Sequence, residues 1–107
     1  MDINAILKTE YSEKFDELRK NRVVASFFKY GPASQNFKPG MVDAIASAEM
    51  CIKKYREKKN TEYLTDAANY LMFAFMFPEE GAYFRATDSS ESAGKAGISI
   101  NELKNWK

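Results

Sequence analysis

The stretch that decides the fold runs from Asn60 to Pro78 and reads N-T-E-Y-L-T-D-A-A-N-Y-L-M-F-A-F-M-F-P. It opens with a helix-start signal. Thr61 is placed to cap the N-terminus, and Glu62 puts a carboxylate in the first turn, where the helix dipole favours it. It closes at Pro78, which cannot continue a helix. Every residue from Leu71 to Phe77 is apolar, so the pattern predicts a helix over 62–77 that is buried on most sides. Asp66 and Asn69 interrupt it, on one face with Glu62 and Thr65. A carboxylate in a central helix is costly unless it is paired, hydrogen-bonded or metal-bound. That conflict makes this face the place where chemistry is expected.

Upstream, Met41–Lys59 reads as a second helix with Val42, Ile45, Ala46, Ala48, Ile52 and Tyr55 facing inward. Its basic end, Lys53 to Lys59, suits a helix C-terminus, and Asn60 is expected to close it in a left-handed conformation. The short link at Asn60–Thr61 makes these two helices antiparallel neighbours. Residues Gly31 to Gly40, G-P-A-S-Q-N-F-K-P-G, read as a loop. Asp2 to about Tyr30 reads as a long helix with Ile3, Leu7, Tyr11, Phe15 and Leu18 at helical spacing. Ser12 with Glu13 offers a second start, so a break near Thr9–Ser12 is open to the chain.

Beyond Pro78 the character changes. P-E-E-G is a turn, Ala82–Ala86 is expected to be extended with its aromatics packed back on the helices, and residues 87–97 are a polar loop. Ser99 with Glu102 makes a capping box for a short helix over Ile100–Trp106. The expected architecture is all-α: a three-helix bundle core over residues 1–78, and a C-terminal arm over 79–107 that ends in a short helix and packs on the same domain.

Composition bounds the function. With 107 residues the chain makes one domain, and so small a core makes a dimer the expected way to bury more apolar surface. A net charge of +1 gives no reason to expect general nucleic-acid or membrane affinity. The run Leu71–Phe77 is too short to span a membrane, and the N-terminal M-D-I-N-A-I-L does not read as a signal peptide. The single cysteine, Cys51, fits a reducing cytoplasm and is expected to be a buried, inert thiol. With no histidine, the chain has no histidine zinc site, no Ser-His-Asp triad and no Cys-His dyad. Catalysis would rest on carboxylates, hydroxyls, lysines or an oxygen-liganded metal.

Three groups of residues are candidates for a site. Glu49, the only acid between Asp43 and Glu57, approaches the Asp66–Asn69 level if the two helices are antiparallel. Glu49, Glu62 and Asp66 would then suit Mg²⁺, which activates water and neutralises phosphate. The plainer alternative has Asp66 paired with a lysine or arginine of the first helix and Glu49 solvated. The second group is Lys29, Tyr30, Asn36 and Phe37 around Gly31 and Gly40, with polar groups for phosphate and rings to stack on a base; its alternative is a helix stop with aromatics covering the core. The third is Arg85 with the serine-rich residues 87–92, a loop that would close over a ligand or connect a tail.

Two segments carry a resemblance. K-Y-G-x4-N-F-x2-G at Lys29–Gly40 and D-A-A-N-Y-L-M at Asp66–Met72 resemble small phage and prophage proteins related to the MazG-like all-α nucleotide pyrophosphohydrolases, and phage dATP/dGTP diphosphohydrolase-type proteins. The resemblance implies an oligomeric helical bundle that cleaves a nucleoside triphosphate with Mg²⁺ held by acidic residues. On that reading Glu62 and Asp66 are catalytic, Glu49, Glu62 and Asp66 hold the metal, and Lys29, Tyr30, Asn36, Asn69 and Arg85 contact the nucleotide. The chain departs from the family's E-x-x-E and E-x-x-D pattern, with Tyr63 where the glutamate before Asp66 should stand and Ala46 and Ile52 three residues either side of Glu49. The second expectation is a non-catalytic protein of a mobile element that binds a host protein, with Tyr83, Phe84 and Trp106 as anchors.

Overall fold

The computed structural model describes residues 2–87. The expected loop beyond Thr87, the capping box at Ser99 and Glu102 and the short helix Ile100–Trp106 lie outside the described residues. The described part is all-α, with helices α1 Ile3–Glu10, α2 Glu13–Tyr30, α3 Ala33–Asn36, α4 Ala44–Lys58 and α5 Glu62–Met76.

Local chemistry sets each boundary. Asp2 caps α1 by accepting from the Asn4 amide (3.2 Å). The break open to the long first helix does occur, because Ser12 leaves helical conformation and its Oγ accepts from the Phe15 amide (3.0 Å), starting α2 afresh. Tyr11 bridges the break by donating its hydroxyl to Asp16. Gly31, at φ 84°, ends α2 in a region open to glycine. The segment expected to be pure loop contains α3, one turn held by Asn36 and Phe37 amides donating to Pro32 and Ala33 carbonyls. α4 starts three residues later than expected, at Ala44, because Asp43 caps it by accepting from the Ala46 amide (3.0 Å).

Two capping assignments are corrected. Lys59, not Asn60, takes the left-handed position (φ 62°), where its amide still reaches the Tyr55 carbonyl (2.7 Å). Asn60 Oδ1 instead accepts from the Glu62 amide (3.0 Å), doing for α5 what was expected of Thr61, which is itself helical and makes no capping bond. The turn after Pro78 forms as expected, with the Ala82 amide donating to the Glu79 carbonyl (3.1 Å).

α5 is the central element and packs on both α4 and α2. Among the described residues the buried ones are Ala48 of α4 and Thr65, Ala67 and Asn69 of α5. The run Leu71–Phe77 was expected to be buried on most sides, yet Leu71, Phe75 and Met76 are exposed. The reason is geometric: a helix apolar on every side needs neighbours on every side, and α5 has two. The same holds for α4, whose covered stripe is narrow. Ala48 is buried and Tyr55 half-buried, whereas Val42, Ile45, Ala46 and Ile52 are exposed. Beyond α5, Phe84 turns its ring edge-on to Phe75 (6.5 Å), yet Phe84 and Tyr83 both stay exposed, so the expected packing of the 82–86 aromatics on the helices does not occur. No described helix is long and apolar enough to cross a membrane.

Candidate functional site

The interface between α2 and α5 is built from charge rather than from apolar contact. Arg19 and Arg22 stand one turn apart on α2, and Glu62, Asp66 and Asn69 repeat at the same helical spacing on α5. Arg22 donates from Nε to Asp66 Oδ1 (3.1 Å) and from Nη2 to Asp66 Oδ2 (3.4 Å). Its Nη1 lies 3.1 Å from Glu62 Oε1. The Asp66 carboxylate holds the Arg22 guanidinium more firmly protonated than usual. Arg19 donates to Asn69 Oδ1 (3.4 Å) and to Asp16 Oδ1 (3.2 Å), and Asn69 Nδ2 donates to the Arg19 carbonyl (3.0 Å). The buried amide of Asn69 is therefore satisfied at both ends by one residue.

Beside this interface lies a cavity of about 370 Å³ between α2, α3 and α5. Its walls are aromatic: Phe27 and Tyr30 from α2, Phe37 after α3, Tyr70 and Phe73 from α5. Phe37 stacks on Phe73 (centroids 4.7 Å apart, 22° between planes) and meets Tyr70 edge-on (6.0 Å), so that wall is rigid. Polar groups stand at defined points of the lining, from Ser26, Asn36, Asp66 and Asn69. Asn36 is pinned by donating to the Gly31 carbonyl (3.3 Å). Burial, with lesser help from Cys51 and Asp66, holds the Tyr70 phenol above its ordinary pKa, so it stays a donor.

The residues singled out in the sequence divide into two sets. Tyr30, Asn36, Asn69 and Asp66 are brought together around the cavity. Lys29, Glu49, Glu62 and Arg85 do not line it. The Lys29 ammonium lies 5.1 Å from the centre of the ring of Tyr30, a lining residue. Arg85 lies in the irregular segment after α5, and Glu49 is exposed on α4. Phe37 covers α5 rather than standing open.

The metal expectation can be tested against these positions. Among the described residues no three or more of His, Cys, Asp and Glu are gathered as a metal would need. Asp66 pairs with Arg22, the plainer pairing that the sequence allowed, and Glu62 joins the same guanidinium. Glu49, Glu62 and Asp66 as arranged do not fit Mg²⁺, and no hydrolytic step follows from them. Cys51 is half-buried, and burial first, then Asp66, raises its pKa, which agrees with an inert thiol.

Sequence reasoning missed Arg19, Arg22, Tyr70 and Phe73. The signal was present for the arginines: two cations one turn apart on α2 match the acids on α5 in period and sign. Comparison with known proteins adds nothing to this placement: no family model, no curated protein and no solved structure matches the chain.

Proposed function

We propose that this protein is a small-molecule-binding helical module whose cavity takes the base of a nucleoside or nucleotide. The observation that carries the reading is the meeting of Tyr30, Asn36, Asn69 and Asp66, each singled out from sequence, around one aromatic-walled cavity of about 370 Å³. That volume falls in the range of small-molecule sites, about 300–1,000 Å³. Flat rings suit a planar base, and base–aromatic stacking contributes about 1–3 kcal/mol per base. The resemblance of Lys29–Gly40 and Asp66–Met72 to MazG-like proteins supplies the ligand class.

The charge of the site narrows the proposal. The charged residues of the lining, Arg22 and Asp66, pair with each other, which leaves the lining without net charge. Such a site favours the base and sugar over a polyphosphate, and any phosphate belongs at Lys29, beside Tyr30. Mg²⁺-dependent hydrolysis would require Glu62 and Asp66 to leave Arg22, so the proposal is one of binding. The test is calorimetric titration with nucleosides, nucleotides and Mg²⁺, using Tyr30→Ala, an exposed position at the cavity mouth, as the control. Binding of a nucleoside without Mg²⁺, lost in Tyr30→Ala, supports the reading; no binding of any base-containing ligand rejects it.

A second reading is supported by a different observation. Tyr83 and Phe84 are 83% and 85% exposed, as anchors for another protein would be. A non-catalytic interaction protein of a mobile element predicts that truncation after Pro78 leaves nucleoside binding intact and abolishes capture of a host protein.

A further inference from the structure

The cavity mouth adjoins an apolar surface that no described residue covers. Val24, Phe27, Phe28 and Tyr30 of α2, with Met41 and Val42 before α4, are 45–82% exposed. The surface is continuous. Phe27, Tyr30 and Val42 all line the cavity, Val24 stands one helical turn before Phe27 and Phe28, and the Phe27 and Phe28 rings meet edge-to-face at 5.8 Å. A fully buried aromatic side chain covers about 150–250 Å², so at these exposures the six residues present roughly 600 Å². That is at the upper end of the largest patch on an ordinary monomer, about 300–600 Å².

The area fits one kind of occupant. A standard interface covers about 800 Å² on each partner, somewhat over half of it apolar, so it needs about 450 Å² of apolar surface per side. The patch supplies that without recruiting another face. The fold also needs the cover continuously, because Ala48 and Ala67 are the buried apolar residues among those described. A transient partner leaves such a chain without a core most of the time. A second copy is always present, and a closed two-fold contact uses the same patch on both sides.

We infer that the protein is a two-fold dimer in which Val24, Phe27, Phe28, Tyr30, Met41 and Val42 meet the same residues of a second copy. The dimer surface shares Phe27, Tyr30 and Val42 with the cavity lining. Phe28 does not line the cavity, so changing it separates the dimer contact from the ligand site.

The test is sedimentation velocity of the full chain over a wide concentration range, with far-UV circular dichroism as the folding control. The wild type sediments as a dimer, Phe28→Glu as a monomer of unchanged helicity, and Phe75→Glu, exposed on α5 outside the patch, as a dimer. If Phe28→Glu loses helicity, Val24→Lys replaces it with the same expected outcome. A wild type that stays monomeric, a dimer that survives the patch substitution, or a dimer that Phe75→Glu also dissociates overturns the inference.

Discussion

Arg22 of α2 reaches two carboxylates of α5 at once, with Nε donating to Asp66 Oδ1 and Nη1 beside Glu62 Oε1, each at 3.1 Å. The arrangement fixes how α2 crosses α5. It also pairs with one arginine the two acids that a catalytic reading would assign to a metal.

The first prediction follows from that relationship. Asp66→Ala lowers stability by about 1 kcal/mol, because the Arg22 side chain is half exposed and its pairing is partly screened. Urea denaturation of both single variants and the Arg22→Ala/Asp66→Ala double variant measures the coupling. The same substitution removes the one carboxylate of the cavity lining, so it strengthens binding of a nucleotide relative to its nucleoside. A metal-site account predicts the reverse.

Asn69 is the more costly residue to lose. It is buried, and its amide is shared between the backbone and side chain of Arg19. Asn69→Leu leaves the Arg19 carbonyl without its donor, at a cost of about 1–3 kcal/mol. Asn69→Asp also loses the donor and is expected to destabilise, although it offers Arg19 a charge. Thermal unfolding of the two variants checks this; an Asn69→Leu protein as stable as wild type would refute the role.

The break between α1 and α2 gives a pH dependence with a definite sign. The Tyr11 hydroxyl first, and Arg19 second, hold the Asp16 pKa below the usual carboxylate value. A depressed folded-state pKa contributes stability that is present above the unfolded value, about 4, and is lost as pH falls through the folded one. The Tyr11 pKa is raised, chiefly by the same bond to Asp16, so its contribution is present below the unfolded value of about 10 and is lost as pH rises through the folded one. Stability measured against pH falls at both extremes, and Asp16→Asn flattens the acid limb.

Much of this fold was legible because its signals are local. Ser12 and Gly31 each act within a few residues, and α2 begins and ends where they put it, whereas the cap at Asp43 was not read and α4 starts three residues later than expected. The closing of α4 moved from Asn60 to Lys59, and the capping of α5 from Thr61 to Asn60, because two short-range solutions for closing α4 and opening α5 compete within three residues. Burial was less legible. The apolar run of α5 announces a core only if neighbours surround it, and the number of neighbours is not encoded in the run. At the site, the sequence identified Asp66 and Asn69 as polar residues that conflict with their helix, and both gather with Tyr30 and Asn36 around the cavity. Arg22 lies 44 residues away from its partner Asp66, a separation that no local pattern records.

Cys51 supplies a chemical check on the packing of α4 against α5. Burial holds its thiol above the ordinary pKa, which lowers the thiolate fraction at neutral pH. Its reaction with a disulfide reagent is expected to be slow in the native protein and to accelerate in urea in step with unfolding. Fast native-state reaction would show that the packing of α5 on α4 does not cover it.

The most direct test of the account is titration of the isotopically labelled full chain with nucleosides, without and then with Mg²⁺, followed by NMR. The account predicts shifts concentrated at Ser26, Tyr30, Asn36, Tyr70 and Phe73, saturating without metal and absent in Tyr30→Ala. Shifts that require Mg²⁺ and centre on Glu49, Glu62 and Asp66, or no shift at the cavity with any base-containing ligand, would contradict it.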